Sequence, residues 1–116
     1  MSITRHGSNR RTSQAVVDGN TIYLAGQIAN NVKGTSIEVQ TTEALANIEL
    51  LLTDCGSNKS KILRITVYLA DRADFDGMNA AWTEWVDGDN PPARATTQAV
   101  LLDPDWRIEM VATARL

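Results

Sequence analysis

Two ionisable residues combine chemical type with position: Arg94, which follows Pro91-Pro92-Ala93, and Glu109, which shares a strand face with Val111 and Thr113. A guanidinium presents paired donors at the spacing of two carboxylate oxygens, so Arg94 is suited to holding a small carboxylate. The prolines restrict the backbone that delivers it. Strand parity puts Thr96 on the same face as Arg94, and together they read as the floor of an anion-binding recess. Ala95 and Thr97, on the other face, suit close helix packing. The competing expectation for Arg94 is an exposed arginine in an ordinary salt bridge. Glu109, beside apolar side chains, can act as a proton shuttle. Its competing expectation is an edge-strand glutamate that reaches solvent or pairs with an arginine.

Other constellations carry less. His6 is the single histidine and stands near the start of the chain, so neither a Ser-His-Asp triad nor a Cys-His pair has a well-placed base. No cluster has metal-ligand spacing, and Gly26 and Gly34 stand alone rather than in a phosphate loop. A single cysteine, Cys55, excludes an intrachain disulfide framework. A formal net charge of −3 argues against a nucleic-acid partner. The one basic cluster, Arg5, His6, Arg10 and Arg11, reads as a solvated N-terminal segment. With no apolar h-region and no apolar run near the ~20 residues of a membrane helix, a soluble cytoplasmic protein is expected.

These residues must be held by a small scaffold. The 116 residues, 43% of them hydrophobic and 22% charged, fit one globular domain, 1–116, with no linker or repeat. Ala15–Val17 and Thr21–Ala25 flank Asp18-Gly19-Asn20, a hairpin signal. Thr35 and Glu38 match a capping box, and Ile37, Thr42, Leu45, Ile48 and Leu52 mark a helix ending at Gly56. Residues 62–69 alternate as a strand, with Leu63, Ile65, Val67 and Leu69 on its covered face. A second helix starts near Asp71 or Asp74, carries Phe75, Met78, Trp82, Trp85 and Val86 on its apolar stripe, and stops at Gly88. Ala93–Leu102 and Arg107–Leu116 read as strands joined across Asp103-Pro104-Asp105. The order predicts an α+β domain with both helices on one face of one sheet.

If the last two strands form a simple hairpin, Arg94 lies opposite Arg115 and Glu109 opposite Val100. The two candidates are then on the order of 20 Å apart at ~3.3 Å per residue. A joint site would have to be built between subunits, which makes oligomerisation a condition for it.

Ala25-Gly26-Gln27 after a hairpin, Asn47-Ile48 and Cys55-Gly56, Val67-Tyr68-Leu69-Ala70-Asp71 followed by Phe75 and Met78-Asn79, Pro92-Ala93-Arg94, and Ile108-Glu109 occur in an order and spacing that resemble the Rid family of reactive-intermediate deaminases. Gly56-Ser57-Asn58-Lys59-Ser60 and the Trp82 to Trp85 region look closest to its short YoaB-like branch. The resemblance implies a chorismate-mutase-like mixed sheet with two helices on one face, three copies closing into a trimeric barrel with clefts between subunits. It also implies that the final strand lies inside the sheet, in place of the simple hairpin.

The implied activity is hydrolysis of enamines and imines, small 2-imino acids, to 2-keto acids and ammonia, with no cofactor. Arg94 matches the arginine that grips the substrate carboxylate, and Glu109 the glutamate that positions or activates water. Gly26 matches a backbone contact and Asn79 a residue lining the cleft, with Thr96 beside Arg94. Thr12, Ala25 and Thr96 stand where the family has a tyrosine, a serine and a cysteine. The alternative these departures motivate is a non-catalytic trimer that binds a small carboxylate and regulates a partner. An endoribonuclease is disfavoured by the acidic chain, 5% aromatics and the lone histidine.

Overall fold

The alternation of Ile65, Val67 and Leu69 in β4 (Ile62–Leu69), and of Ile108, Met110, Ala112 and Ala114 in β6 (Ile108–Arg115), gives each strand one dry face. Those faces bury the apolar stripes of α1 (Ile37–Asp54) and α2 (Phe75–Trp85). The remaining strands are β1 (Ile3–His6), β2 (Ala15–Asp18), β3 (Thr21–Leu24) and β5 (Ala93–Gln98). The structure is a computed structural model and describes residues 2–116. One mixed sheet runs in the order β1-β2-β3-β6-β4-β5, with both helices on one face, as the family resemblance implies. Among the described residues no helix is long and apolar enough to cross a membrane.

The hairpin between the last two strands does not form. β6 sits between β3 and β4, antiparallel to both, and β5 is parallel to β4 on the outer edge. β4, α2 and β5 are therefore a strand–helix–strand crossover, the connection that parallel neighbours require. β5 also ends earlier than the alternation suggests. Leu69 is the last residue of β4, so pairing stops at Gln98, and beyond it Val100 and Leu102 are 101% and 92% exposed.

Three local expectations shift. The cap of α1 is Ser36, whose Oγ accepts from the Val39 N–H at 3.2 Å, while the Thr35 hydroxyl donates to Asn31 O. A register shift between Ile62 and Arg64 puts Ile62 in the core and leaves Leu63 half exposed, because the irregularity interrupts the two-residue period. α2 stops at Trp85, before Gly88, where Val86 turns extended and packs on the core. α1 does end where expected, with Gly56 at φ +84. Arg5 and His6 lie in a strand rather than a loose segment: β1 pairs with β2 over Ile3–His6.

Candidate functional site

Arg94 lies opposite Ile65 and Thr96 opposite Val67 in the parallel β4–β5 ladder, so both point toward the helices. This reverses the expected faces, since Ala95 and Thr97 lie on the uncovered side. Parity says which residues share a face, and only the packing of α2 says which face is covered. Facing the helix costs Arg94 solvent, and burial pulls its pKa below the usual arginine value. Its Nη1 donates to Asn79 Oδ1 at 2.8 Å, and its guanidinium carbon lies 4.8 Å from the Trp82 ring centroid and 5.9 Å from that of Phe75. These aromatic faces stabilise a cation.

The salt bridge expected as the competing role is absent. Among the described residues the ion pair formed is Arg107 with Asp74, at 2.7 Å, and no carboxylate approaches Arg94. Its Nε and Nη2 donate to no group among them. Thr96 Oγ1 is enclosed beside it without a hydrogen-bond partner. A cleft of about 300 Å³, lined by Leu69, Arg72, Phe75, Thr96, Thr97 and Gln98, opens beyond Thr96 at the C-terminal end of β5, and Arg94 lies behind it rather than in its lining.

α2 is fixed from its far end. Lys59 Nζ donates to Trp85 O at 2.6 Å, Trp85 Nε1 donates to Glu49 Oε1 at 2.9 Å, and Trp82 packs edge-on against Trp85. The sequence placed Trp82 and Phe75 on an apolar stripe, and their hold on Arg94 was not foreseen. Their helical spacing from Asn79 was the available signal.

Glu109 occupies the other face. It pairs with Tyr68 across β6–β4, on the side away from the helices, where Val111 and Thr113 also lie. Gly26 meets it there: a Cβ on Gly26 would occupy the place of Glu109 Oε2. The start of β6 is held by Gln40, fully buried, whose Nε2 donates to Val32 O and Asp105 O and whose Oε1 accepts from the Arg107 N–H at 2.9 Å. One residue past Glu109, Met110 exchanges two backbone hydrogen bonds with Gln27.

The structure thus brings Arg94, Asn79 and Thr96 together, and separately Gly26 with Glu109. Arg94 and Glu109 are three residues apart along the ladder and two strands apart across it, or ~14 Å, on opposite faces. That replaces the hairpin figure of about 20 Å and keeps its consequence, because one chain cannot close both groups on one small molecule. Among the described residues no group of three His, Cys, Asp or Glu is gathered to hold a metal ion. The polar groups available are the guanidinium, an amide and a hydroxyl on one face and an accepting carboxylate on the other.

The family described as Endoribonuclease L-PSP matches residues 3–116. The chain belongs to that family. Among L-PSP relatives, a RutC family protein of Haemophilus influenzae is 42% identical over 98% of both chains. The RutC family protein YoaB of Escherichia coli is 40% identical, again over 98% of both. A crystal structure of NMB1025 from Neisseria meningitidis, a member of the YjgF protein family, superposes with a TM-score of 0.95 at 38% identity, covering 99% of this chain and 95% of that one. These matches bear out the Rid-family resemblance and its YoaB-like branch.

Proposed function

We propose that the protein hydrolyses small 2-imino acids, and the enamines that tautomerise to them, to 2-keto acids and ammonia. The observation that carries this reading is Arg94: a half-buried guanidinium, stacked on Trp82 and held by Asn79, with no carboxylate partner. A carboxylate ligand would supply the missing counter-charge through the free edge of the fork. Thr96 Oγ1, enclosed and unpartnered on the same strand face, contributes a further contact.

Catalysis needs Glu109 from a second copy, because within one chain it faces away from Arg94. Three copies close into a trimer, and each cleft joins the helix-side recess of one chain to the uncovered face of its neighbour, with Gly26 leaving room at the glutamate. Water attacks C2 of the imine, Glu109 takes the water's proton, and the nitrogen is protonated and leaves as ammonia while the carbonyl forms. The imine carbon is already electrophilic, so positioning and proton transfer suffice. The reaction takes place in the cytoplasm, where amino-acid-consuming enzymes release such intermediates.

The test generates 2-imino acids with an amino-acid oxidase and follows their decay by trapping. The parent protein accelerates decay, and Arg94→Ala does not. Decay at the buffer rate with the parent overturns the assignment. A second reading, a carboxylate-binding trimer without turnover, is favoured by Thr12, Ala25 and Thr96 at positions where the family carries other side chains. Calorimetric binding of a 2-keto acid, lost in Arg94→Ala and unaccompanied by turnover, selects it.

A further inference from the structure

The cleft beyond Thr96 continues the Arg94 recess along β5, and its far end carries groups that hydrolysis of a minimal imino acid does not use. Phe75 belongs to both: its ring centroid lies 5.9 Å from the Arg94 guanidinium carbon, and the residue also lines the cleft. Arg94, Thr96 and Gln98 share one face of β5, so they stand in a row ~7 Å apart. At about 300 Å³ the cleft is at the small end of ligand pockets, which run from ~300 to 1,000 Å³.

The polar groups at the far end are left as donors. Arg72 opens the turn Arg72–Asp74 before α2, and its backbone N–H donates to Gln98 Oε1 at 2.8 Å. That bond engages the amide's acceptor, while Gln98 Nε2 donates to no group among the described residues. The Arg72 side chain is exposed and forms no ion pair among them, because Asp74 is taken by Arg107 and Asp71 Oδ1 accepts from the Ala73 N–H. Leu69 and Phe75 supply the cleft's apolar surface. A tail that suits this lining has methylene groups for the apolar walls and an acceptor at its end, whereas a cationic tail is repelled by the guanidinium.

Resting on the imino-acid reading above, we propose that the cleft selects substrates whose side chain ends in a second carboxylate, the 2-imino dicarboxylic acids, and that Arg72 sets this preference. The 2-carboxylate lies on Arg94, the reacting carbon near Thr96, and the distal carboxylate at the Arg72 fork and the Gln98 amide, in charge-assisted hydrogen bonds. Because Arg72 is exposed, salt screens the pairing, which makes it a preference rather than an absolute requirement.

The test titrates 2-oxoglutarate and 2-oxohexanoate, an apolar acid of matching length, into the purified protein by calorimetry at low ionic strength. The comparison is repeated with Arg72→Ala and Arg72→Glu. The parent is expected to favour 2-oxoglutarate about tenfold, a ratio that falls at least threefold in Arg72→Ala, inverts in Arg72→Glu and shrinks at high salt. The bond to Gln98 comes from the Arg72 backbone, so neither variant removes it, and a merely structural loss would weaken both acids together. Imines of glutamate and norleucine, made with an amino-acid oxidase and trapped, should differ in KM in the same order. A parental ratio retained in Arg72→Ala, a parent that favours 2-oxohexanoate, or a parent that binds neither acid overturns the proposal. Turnover of the alanine-derived imine decides the hydrolase reading independently: discrimination in binding without turnover removes that reading and keeps this one, and turnover without discrimination does the reverse.

Discussion

Arg94 and Glu109 lie in one sheet, yet their surroundings differ in kind. The arginine is pressed against α2, between aromatic rings and an amide, and lacks a counter-ion. The glutamate stands on the uncovered face over a backbone stripped of its side chain at Gly26. One region is built to keep a charge waiting in a partly dry place; the other seats a carboxylate directly against bare backbone. A recess of the first kind confers affinity through an unmet electrostatic need. A corner of the second kind can exchange a proton with water. The division between faces means that chemistry requiring both belongs to an assembly of chains.

The comparison breaks if the two regions do not separate binding from turnover. Glu109→Gln is expected to lower kcat for imine hydrolysis by about 10²–10⁴-fold while leaving 2-keto acid affinity within a few-fold, measured by trapping kinetics and calorimetry. An equal fall in affinity would show that the glutamate binds rather than turns over. Arg94→Lys keeps the charge and loses the fork, so binding should weaken about tenfold to a hundredfold. Near-parental affinity would mean that a point charge is enough.

Gly26→Ala sharpens the glutamate side. Its methyl group meets Glu109 Oε2, so a loss of about 1–3 kcal/mol in stability is expected by denaturant unfolding. In a Glu109→Ala background the same change should be close to neutral, and the difference between the two is the coupling energy.

The smallest effect concerns the loop before α1. Glu43 Oε1 accepts from the N–H groups of Asn30 and Asn31, each at 2.9 Å, and these bonds hold its pKa below the ordinary 4.5. A carboxylate with a depressed folded-state pKa stabilises above its unfolded value and loses that contribution as pH falls through the folded one. Unfolding midpoints should therefore drop more steeply below about pH 4.5 in the parent than in Glu43→Gln.

Much of the scaffold was legible because its signals are local. Asp18-Gly19-Asn20 turned a hairpin, and α1 followed its apolar spacing to a glycine stop. Leu63 failed because a bulge is not written in the alternation around it. The last two strands were misread as a hairpin because nearness in sequence favours that pairing. The alternative, strand–helix–strand with β6 inserted between β3 and β4, depends on which apolar faces meet. At the site, Arg94, Thr96, Asn79, Gly26 and Glu109 were found by type and by resemblance. Trp82 and Phe75 escaped because an aromatic stripe reads as core until a cation is seen beside it.

By itself, then, the sequence determined the elements, the family, and which residues share a strand face, since periodicity and motif order are properties of the chain. Only the tertiary structure decided that Arg94 faces the helices while Glu109 faces away, and that Arg72 and Gln98 line one cleft. Those outcomes turn on which surface α1 and α2 cover and on long-range pairing, and burial of the apolar faces sets both.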